Sequence, residues 1–442
     1  MTDVSLFQVV VSLIAGIGLI ILLTTRYRVH AFFALFLACF VVGLGVQMPV
    51  VNIISVIKDG FGHIMRSLAL IIVLGTALGV VLEDTGSTRV MAAYILRLCG
   101  EKRAPLAMSI TGFIVGLPIF CDSGYIVLNG LNQSLARRTG ISIVVMSVAL
   151  ATGLYSVHCL LPPHPGATAA AGTIGADFGK LILIGMVVAM PAMLAGYWWA
   201  KHAGKNFKES DIPARAGETN LFYPSVFSSF LPVILPILLI AVNSFMTMEG
   251  RETNVLHRIV SVLGDPVIAL SIGVLLALFN RKKWNKEILG KLLTEAAEKA
   301  GAILVIIGAG GAFGAVLAAT KLGQHFGEAV SLDSLGILFP FLLTFILKTA
   351  QGSSTVAIIT ASAIVLPLLP ALGLDSANGR LLCVLAMGAG SMMISHANDA
   401  YFWVIAKFSG LEMQPMLKVY SVATALMGLV SLGMVYLISL VL

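Results

Sequence analysis

Apolar runs recur from one end of this sequence to the other, and no other feature limits its fold as tightly. They lie at Phe7–Thr24, Phe32–Val50, Leu68–Leu82, Ala104–Phe120, Ile141–Leu161 and Leu181–Ala200, then at Val226–Thr247, Val267–Phe279, Ala302–Ala319, Leu338–Leu347, Ile358–Leu372, Leu381–Ser395 and Val419–Leu442. At about 20 residues per helical span they accommodate on the order of ten to twelve crossings. Of the 442 residues 58% are hydrophobic and 11% charged, against roughly a quarter charged in a soluble domain. A soluble enzyme, a disordered chain and a disulfide-stapled secreted domain are thereby excluded. The chain reads as an all-α polytopic membrane protein.

The net charge of +7 reflects the Lys and Arg excess that orients cytoplasmic loops, and no nucleic acid is expected as a partner. Cys39, Cys99, Cys121, Cys159 and Cys383 form no CxxC pair and read as small core residues. The first apolar run follows a single charge, Asp3, without a basic region, so it reads as a retained span.

A polar stretch at 201–222 divides the chain into segments 1–200 and 223–442, which invites a search for a repeat. A shift of about 235 residues lays LIIVLGTALGVVLEDT from Leu70 on VIIGAGGAFGAVLAAT from Val305, matching Gly75 to Gly310 and Gly79 to Gly314. Arg26 and Arg28 follow the first span, while Arg281, Lys282 and Lys283 follow the second span of the later half. The positive-inside rule makes both loops cytoplasmic, so the two halves start on opposite sides. The expected fold is two inverted-topology repeats, each with about five spans, a re-entrant hairpin and a broken helix, as secondary transporters are built. Two amphipathic stretches, Ile53–Arg66 and Glu287–Ala300, read as interfacial helices at matching points. The second carries Glu287/Lys291 and Glu295/Lys299 at the four-residue spacing of a solvated face.

Four polar interruptions fall at membrane depth, where non-helical backbone survives only if it lines a cavity or is buried in protein. The first, Pro118 to Gly124, puts an acid, Asp122, at the tip of a re-entrant hairpin, where a carboxylate reads as functional; the alternative, compatible with it, is that Asp122 or Ser123 caps the returning helix. The second, Gln351-Gly352-Ser353-Ser354-Thr355, offers hydroxyls and free backbone N–H groups at a helix start, suited to a carboxylate. Lys348, one turn earlier, is the one basic residue with no loop to occupy; it either meets an anion or snorkels to the surface. The third, from His158 to Leu161-Pro162-Pro163-His164-Pro165-Gly166, must unwind because proline cannot continue a helix. His164 is the ligand or proton-relay candidate there, and His158 reads as a packing residue. The fourth, Ser395-His396-Ala397-Asn398-Asp399, gathers His, Asn and Asp after a small-residue run, with Asp399 a proton-coupling or hydroxyl-binding group. No HExxH, GxSxG or Walker loop occurs in the sequence, so neither proteolysis nor ATP-driven pumping is indicated.

Taken together and in order, "PIFCDSGYIVL", "VHCLLPPHPGATAAAG", "VIIGAGGAFGAVL", "QGSSTVA" and "SHANDAYFW" resemble the gluconate:proton symporter (GntP) family over almost the whole chain. The resemblance implies the ion-transporter superfamily fold with a scaffold part and a moving part, usually a homodimer. It also implies proton-coupled uptake of a sugar acid across the bacterial inner membrane. Asp122 stands where the family places an acid, although Cys121 and Ser123 replace larger apolar neighbours. Gly352, Ser353 and Thr355 fit a Gly-Ser-x-Thr tip in which Ser354 replaces a more usual Ala. His396, Asn398 and Asp399 fit a His-x-Asn-Asp stretch, and the Pro-Pro-His-Pro stretch fits some members and not others.

On this reading Gly352, Ser353, Ser354, Thr355 and Lys348 hold a carboxylate, His164, His396 and Asn398 meet hydroxyls, and Asp122, Ser123, Gly124 and Asp399 line the same substrate site. Asp122 and Asp399 take up the proton, and no cofactor is needed. Sodium coupling stays open, as does another small hydroxy acid or D-serine as substrate. A passive channel and a metal-dependent membrane enzyme using His158, His164 and His396 are the alternatives from other classes.

Overall fold

The computed structural model describes residues 6–205, 207, 224–248, 255–281, 285–320, 334–397 and 399–442. Nine helices precede the polar stretch: α1 (Leu6–Thr25), α2 (Ala31–Gly45), α3 (Val50–Asp84), α4 (Ser87–Cys99), α5 (Ala104–Val115), α6 (Cys121–Thr139), α7 (Ile143–Leu160), α8 (Pro165–Ile174) and α9 (Phe178–Gly204). After it come α10 (Val226–Met248), α11 (Val255–Leu263), α12 (Pro266–Phe279), α13 (Lys286–Ala319), α14 (Leu338–Gln351), α15 (Ser354–Val365), α16 (Ala377–Met392), α17 (Ala400–Ser409) and α18 (Met413–Ser439), the last with a π-helical turn at Met416–Ser421. Among the described residues no strand is present.

Seven helical stretches among the described residues are long and apolar enough to cross a bilayer, fewer than the ten to twelve expected. The difference lies in short apolar helices, α2, α12, α14 and α15 among them. At 1.5 Å per residue, the 14 residues of α14 reach only part of a hydrocarbon layer of about 30 Å. Around the interruptions the helices come as broken pairs: α5 then α6, α7 then α8, α14 then α15, and α16 then α17.

The two amphipathic stretches are not separate interfacial helices. Each is the first half of a long helix, α3 with 35 residues and α13 with 34. Neither junction, Ser67-Leu68-Ala69-Leu70 or Gly301-Ala302-Ile303, carries a proline, so extending the helix costs no new nucleation. Both expected four-residue ion pairs form, Lys291–Glu287 and Lys299–Glu295, each at 2.8 Å. The two long helices pack antiparallel: Gly60 faces Gly311, Ala312 and Ala315, Gly308 lies under Phe61, and Ile64 packs on Gly311.

The same neighbours recur in each half. The first hairpin arm packs on the helix before the break, α5 on α7 and α14 on α16, while α1 packs on α2 and α10 on α12. A glycine seats each arm. A Cβ at Gly153 would lie 2.1 Å from the Ser109 carbonyl oxygen, and one at Gly390 would lie 2.3 Å from that of Phe341. The glycines of the two long helices face the discontinuous segments, Gly75 against Pro163, Gly79 against the Pro118 carbonyl, Gly310 against Ile359 and Gly314 against Ala363.

Candidate functional site

A buried ion pair marks the centre of the later half. Lys348, one turn from the end of α14, is 0% exposed. Its Nζ donates to Asp399 Oδ2 at 2.8 Å and to the Gly352 carbonyl at 2.6 Å. Asp399 is the N-cap of α17: its Oδ1 accepts the Tyr401 N–H at 3.0 Å, and its Oδ2 also accepts the Ser395 hydroxyl. Ser395 is held in turn, its N–H on Thr424 Oγ1 at 3.0 Å and its carbonyl on the Ser421 hydroxyl at 2.5 Å. Lys348 therefore does not snorkel. Truncating either partner of a buried pair of this kind strands the other charge in a low dielectric, at a cost of about 3–5 kcal/mol.

The second interruption is shaped around that pair. Gly352 closes α14 in the left-handed region, φ +86°, which a side chain would strain. Ser353 is the N-cap of α15, its hydroxyl accepting the Val356 N–H at 3.3 Å, while Ser354 is buried and Thr355 half-buried. The third interruption abuts it, because a Cβ at Gly166 in the first turn of α8 would lie 3.3 Å from the Thr355 Cα. The starts of α8 and α15, both bearing free N–H groups, thus lie side by side.

The centre of the earlier half carries histidines instead of charge. His164, 2% exposed, is the N-cap residue of α8. Its Nε2 lies 2.6 Å from the Gly116 carbonyl at the end of α5. A carbonyl only accepts, so Nε2 carries the hydrogen. His158 packs edge-on to His164, ring centroids 4.9 Å apart, and stacks on Tyr155 at 6.3 Å. Tyr155 stacks in turn on Tyr401 at 5.7 Å and donates to the Ser391 carbonyl, which ties the two centres together. Among the described residues no group of three His, Cys, Asp or Glu side chains is arranged to hold a metal.

The first interruption differs from its expectation. Neither Asp122 nor Ser123 caps the returning helix; Phe120 is the N-cap residue and makes no side-chain cap bond. Cys121, Gly124, Tyr125 and Leu128 form the buried face of α6, at the i, i+3, i+4, i+7 spacing. Asp122 falls off that face and is exposed, with Ser123 half-buried beside it.

Lys348, Asp399, Gly352, Ser353, Ser354, Thr355 and His164 are thus gathered around adjoining helix ends. His396, half-buried, joins them by its Nε2 on the Thr349 carbonyl at 3.3 Å. Asp122 is exposed, and Asn398 lies outside the described residues. Reasoning from sequence missed the Lys348–Asp399 pairing and the supporting roles of Ser395 and Tyr401. A signal was present: two lone opposite charges, each in an apolar segment, each in want of a partner.

The GntP family permease profile matches residues 8–441. The gluconate permease of Pseudomonas aeruginosa is 35% identical over 98% of this chain and 97% of its own. The D-serine transporter DsdX of Escherichia coli K12 is 30% identical over 98% of each chain. The Gnt-II system L-idonate transporter of the same strain is 30% identical over 95% of this chain and 96% of its own. Among solved structures, the Alcanivorax borkumensis YdaH transporter aligns with a TM-score of 0.62 at 14% identity, covering 89% of this chain and 90% of its own. Neisseria gonorrhoeae MtrF aligns at 0.56 and 13% identity, covering 87% and 84%. At such identities these two share the fold alone. A profile match running through nearly every helix, together with a full-length relative at 35% identity, settles the matter: this multi-pass membrane protein is a member of the GntP family of permeases.

Proposed function

We propose that the protein is a secondary active transporter of the bacterial inner membrane that takes up gluconate or a related sugar acid together with a proton. The observation that carries this reading is the buried Lys348–Asp399 pair beside two helix starts. The pair is neutral. A carboxylate arriving at Lys348 displaces Asp399 as its partner, which leaves one uncompensated negative charge inside the protein, and such a charge is costly. Protonation of Asp399 removes it. The proton alone would instead leave Lys348 unpaired. The site therefore accepts anion and proton together or neither, and that is coupling by charge balance. Ser395 suits both states, since a hydroxyl donates to the carboxylate and accepts from the protonated acid. Asp122, exposed at the hairpin tip, is assigned the exchange of that proton with water.

Halves 1–200 and 223–442, joined by a linker at 201–222, are proposed as the inverted repeats. The antiparallel α3 and α13, the recurring hairpin and broken helix, and the Asp84–Arg281 contact that joins the end of α3 to the residues before α13 support that topology. A homodimer is part of the same proposal.

The test is uptake of radiolabelled gluconate into proteoliposomes, with and without an inward proton gradient and with sodium absent. Gradient-driven accumulation is expected, and Asp399→Asn should bind gluconate without dependence on the gradient. Accumulation that requires sodium and ignores the proton gradient would overturn the coupling. The D-serine relative supplies a second reading: a zwitterion would satisfy Lys348 with its carboxylate and Asp399 with its ammonium. D-serine, not gluconate, would then be accumulated.

A further inference from the structure

The buried polar atoms that have no hydrogen-bond partner among the described residues include Gln351 Nε2 and Oε1, on the turn that follows Lys348, and His158 Nδ1; the Tyr420 hydroxyl is another. Gln351 is the last residue of α14, next to the Gly352 carbonyl that holds Lys348. His158, on α7, packs on His164, the N-cap residue of the helix whose first turn adjoins Thr355. Buried polar atoms are paired as a rule, and those that are not call for an explanation. A hydroxyl orphaned within a helix can turn onto the carbonyl one turn back; a primary amide at a helix end and an imidazole clamped by stacking have no such recourse.

We propose that Gln351 and His158 are the residues that read the hydroxyls of the substrate's carbon chain, an inference that rests on the sugar-acid reading above. The chemistry of the amide narrows the ligand. Its oxygen accepts and its nitrogen donates. A carboxylate would satisfy only the nitrogen, and an ammonium only the oxygen. A vicinal pair of hydroxyls, each both donor and acceptor, satisfies both ends. A neutral imidazole nitrogen likewise pairs with a hydroxyl in either sense. The two histidines expected to serve hydroxyls already spend Nε2 on the protein, His164 on the Gly116 carbonyl and His396 on that of Thr349. With Lys348 on the carboxylate, Gln351 on the following turn is assigned the hydroxyls of the carbons nearest that carboxylate, and His158 a hydroxyl further along the carbon chain.

The test compares inhibition of labelled gluconate uptake by unlabelled gluconate, 2-deoxygluconate and 3-deoxygluconate, in wild type, Gln351→Leu and His158→Phe. Phenylalanine keeps the stack on Tyr155. Wild type should prefer gluconate over at least one deoxy acid by tenfold or more, as expected when a buried polar group loses its ligand partner. In Gln351→Leu or His158→Phe that preference should fall to within about twofold. The ligand-free melting temperature of Gln351→Leu should stay level or rise, because no protein hydrogen bond is lost. Preference ratios unchanged in both variants, or a fall in the ligand-free melting temperature of Gln351→Leu, would overturn the inference and leave the transport reading intact. Wild-type protein that does not take up gluconate at all would overturn both.

Discussion

The two broken segments make the same mechanical tie with different chemistry. In the earlier half, the N-cap residue of the second piece, His164, bonds the C-cap carbonyl of the neighbouring hairpin arm, Gly116. In the later half the N-cap residue is Asp399 and the C-cap residue Gly352, with Lys348 Nζ between them as a shared donor. The same shift of about 235 residues that aligns the glycines of α3 and α13 brings both ties into register. A neutral imidazole donating to a carbonyl has no reason to let go when an anion arrives. A lysine bridging a carboxylate and a carbonyl has one, since a second carboxylate competes for it. One half thus holds a fixed strut and the other an exchangeable one, although the backbone plan is shared.

The largest effect should come from breaking the exchangeable strut. Lys348→Met leaves Asp399 buried and unpaired, and stability should fall by about 3–5 kcal/mol, read as the melting temperature of detergent-solubilised protein. Adding Asp399→Asn to it should recover most of that loss while transport stays absent. A single Lys348→Met variant that melts like wild type would show that the pair is open to water, and the charge-balance argument would lose its basis.

Asp122→Asn comes next, with a large effect on transport and a small one on folding. The side chain is exposed and caps nothing, so stability should stay within about 0.5 kcal/mol of wild type. Accumulation of gluconate against its gradient should stop, while exchange of labelled for unlabelled substrate persists. Full accumulation by this variant would remove Asp122 from the proton path and leave Asp399 as the sole acid.

Much of this comparison was legible in the sequence. The four interruptions announce themselves because proline, glycine and charge are foreign to an apolar helix, and the ion pairs of α13 follow from spacing alone. Distance across the fold was not legible. Lys348 and Asp399 are 51 positions apart, and their contact depends on two half-helices ending at the same depth. The exposure of Asp122 was not legible either, because hydropathy reports an average environment, whereas exposure depends on the face of α6, which the positions of Gly124 and Tyr125 decide. The amphipathic stretches misled for a related reason. A polar face beside a bilayer suggests an interfacial helix, but both stretches run on without a break into an apolar half, and glycines at 60, 308 and 311 let α3 pack closely on the apolar half of α13.

The seating of the hairpin arms offers a symmetrical test of shared architecture. Gly153→Val and Gly390→Val each drive a side chain into a backbone carbonyl of the neighbouring arm, and overpacking of this kind costs about 1–3 kcal/mol. The two losses should agree within about 1 kcal/mol in thermal or denaturant unfolding. A variant tolerated in one half and ruinous in the other would show that the arms are seated by different contacts.

The smallest effect should separate the fixed strut from the exchangeable one. His164→Phe keeps a ring against His158 and Phe120 but removes the donor from the Gly116 carbonyl. A carbonyl has two lone pairs and bears a missing partner better than an N–H does, so the loss should be about 1 kcal/mol. Uptake should fall only in proportion to folded protein, and its dependence on the proton gradient should match wild type. Altered proton dependence in His164→Phe would mean that the imidazole carries the proton after all. The earlier half would then share the coupling chemistry assigned here to Lys348 and Asp399.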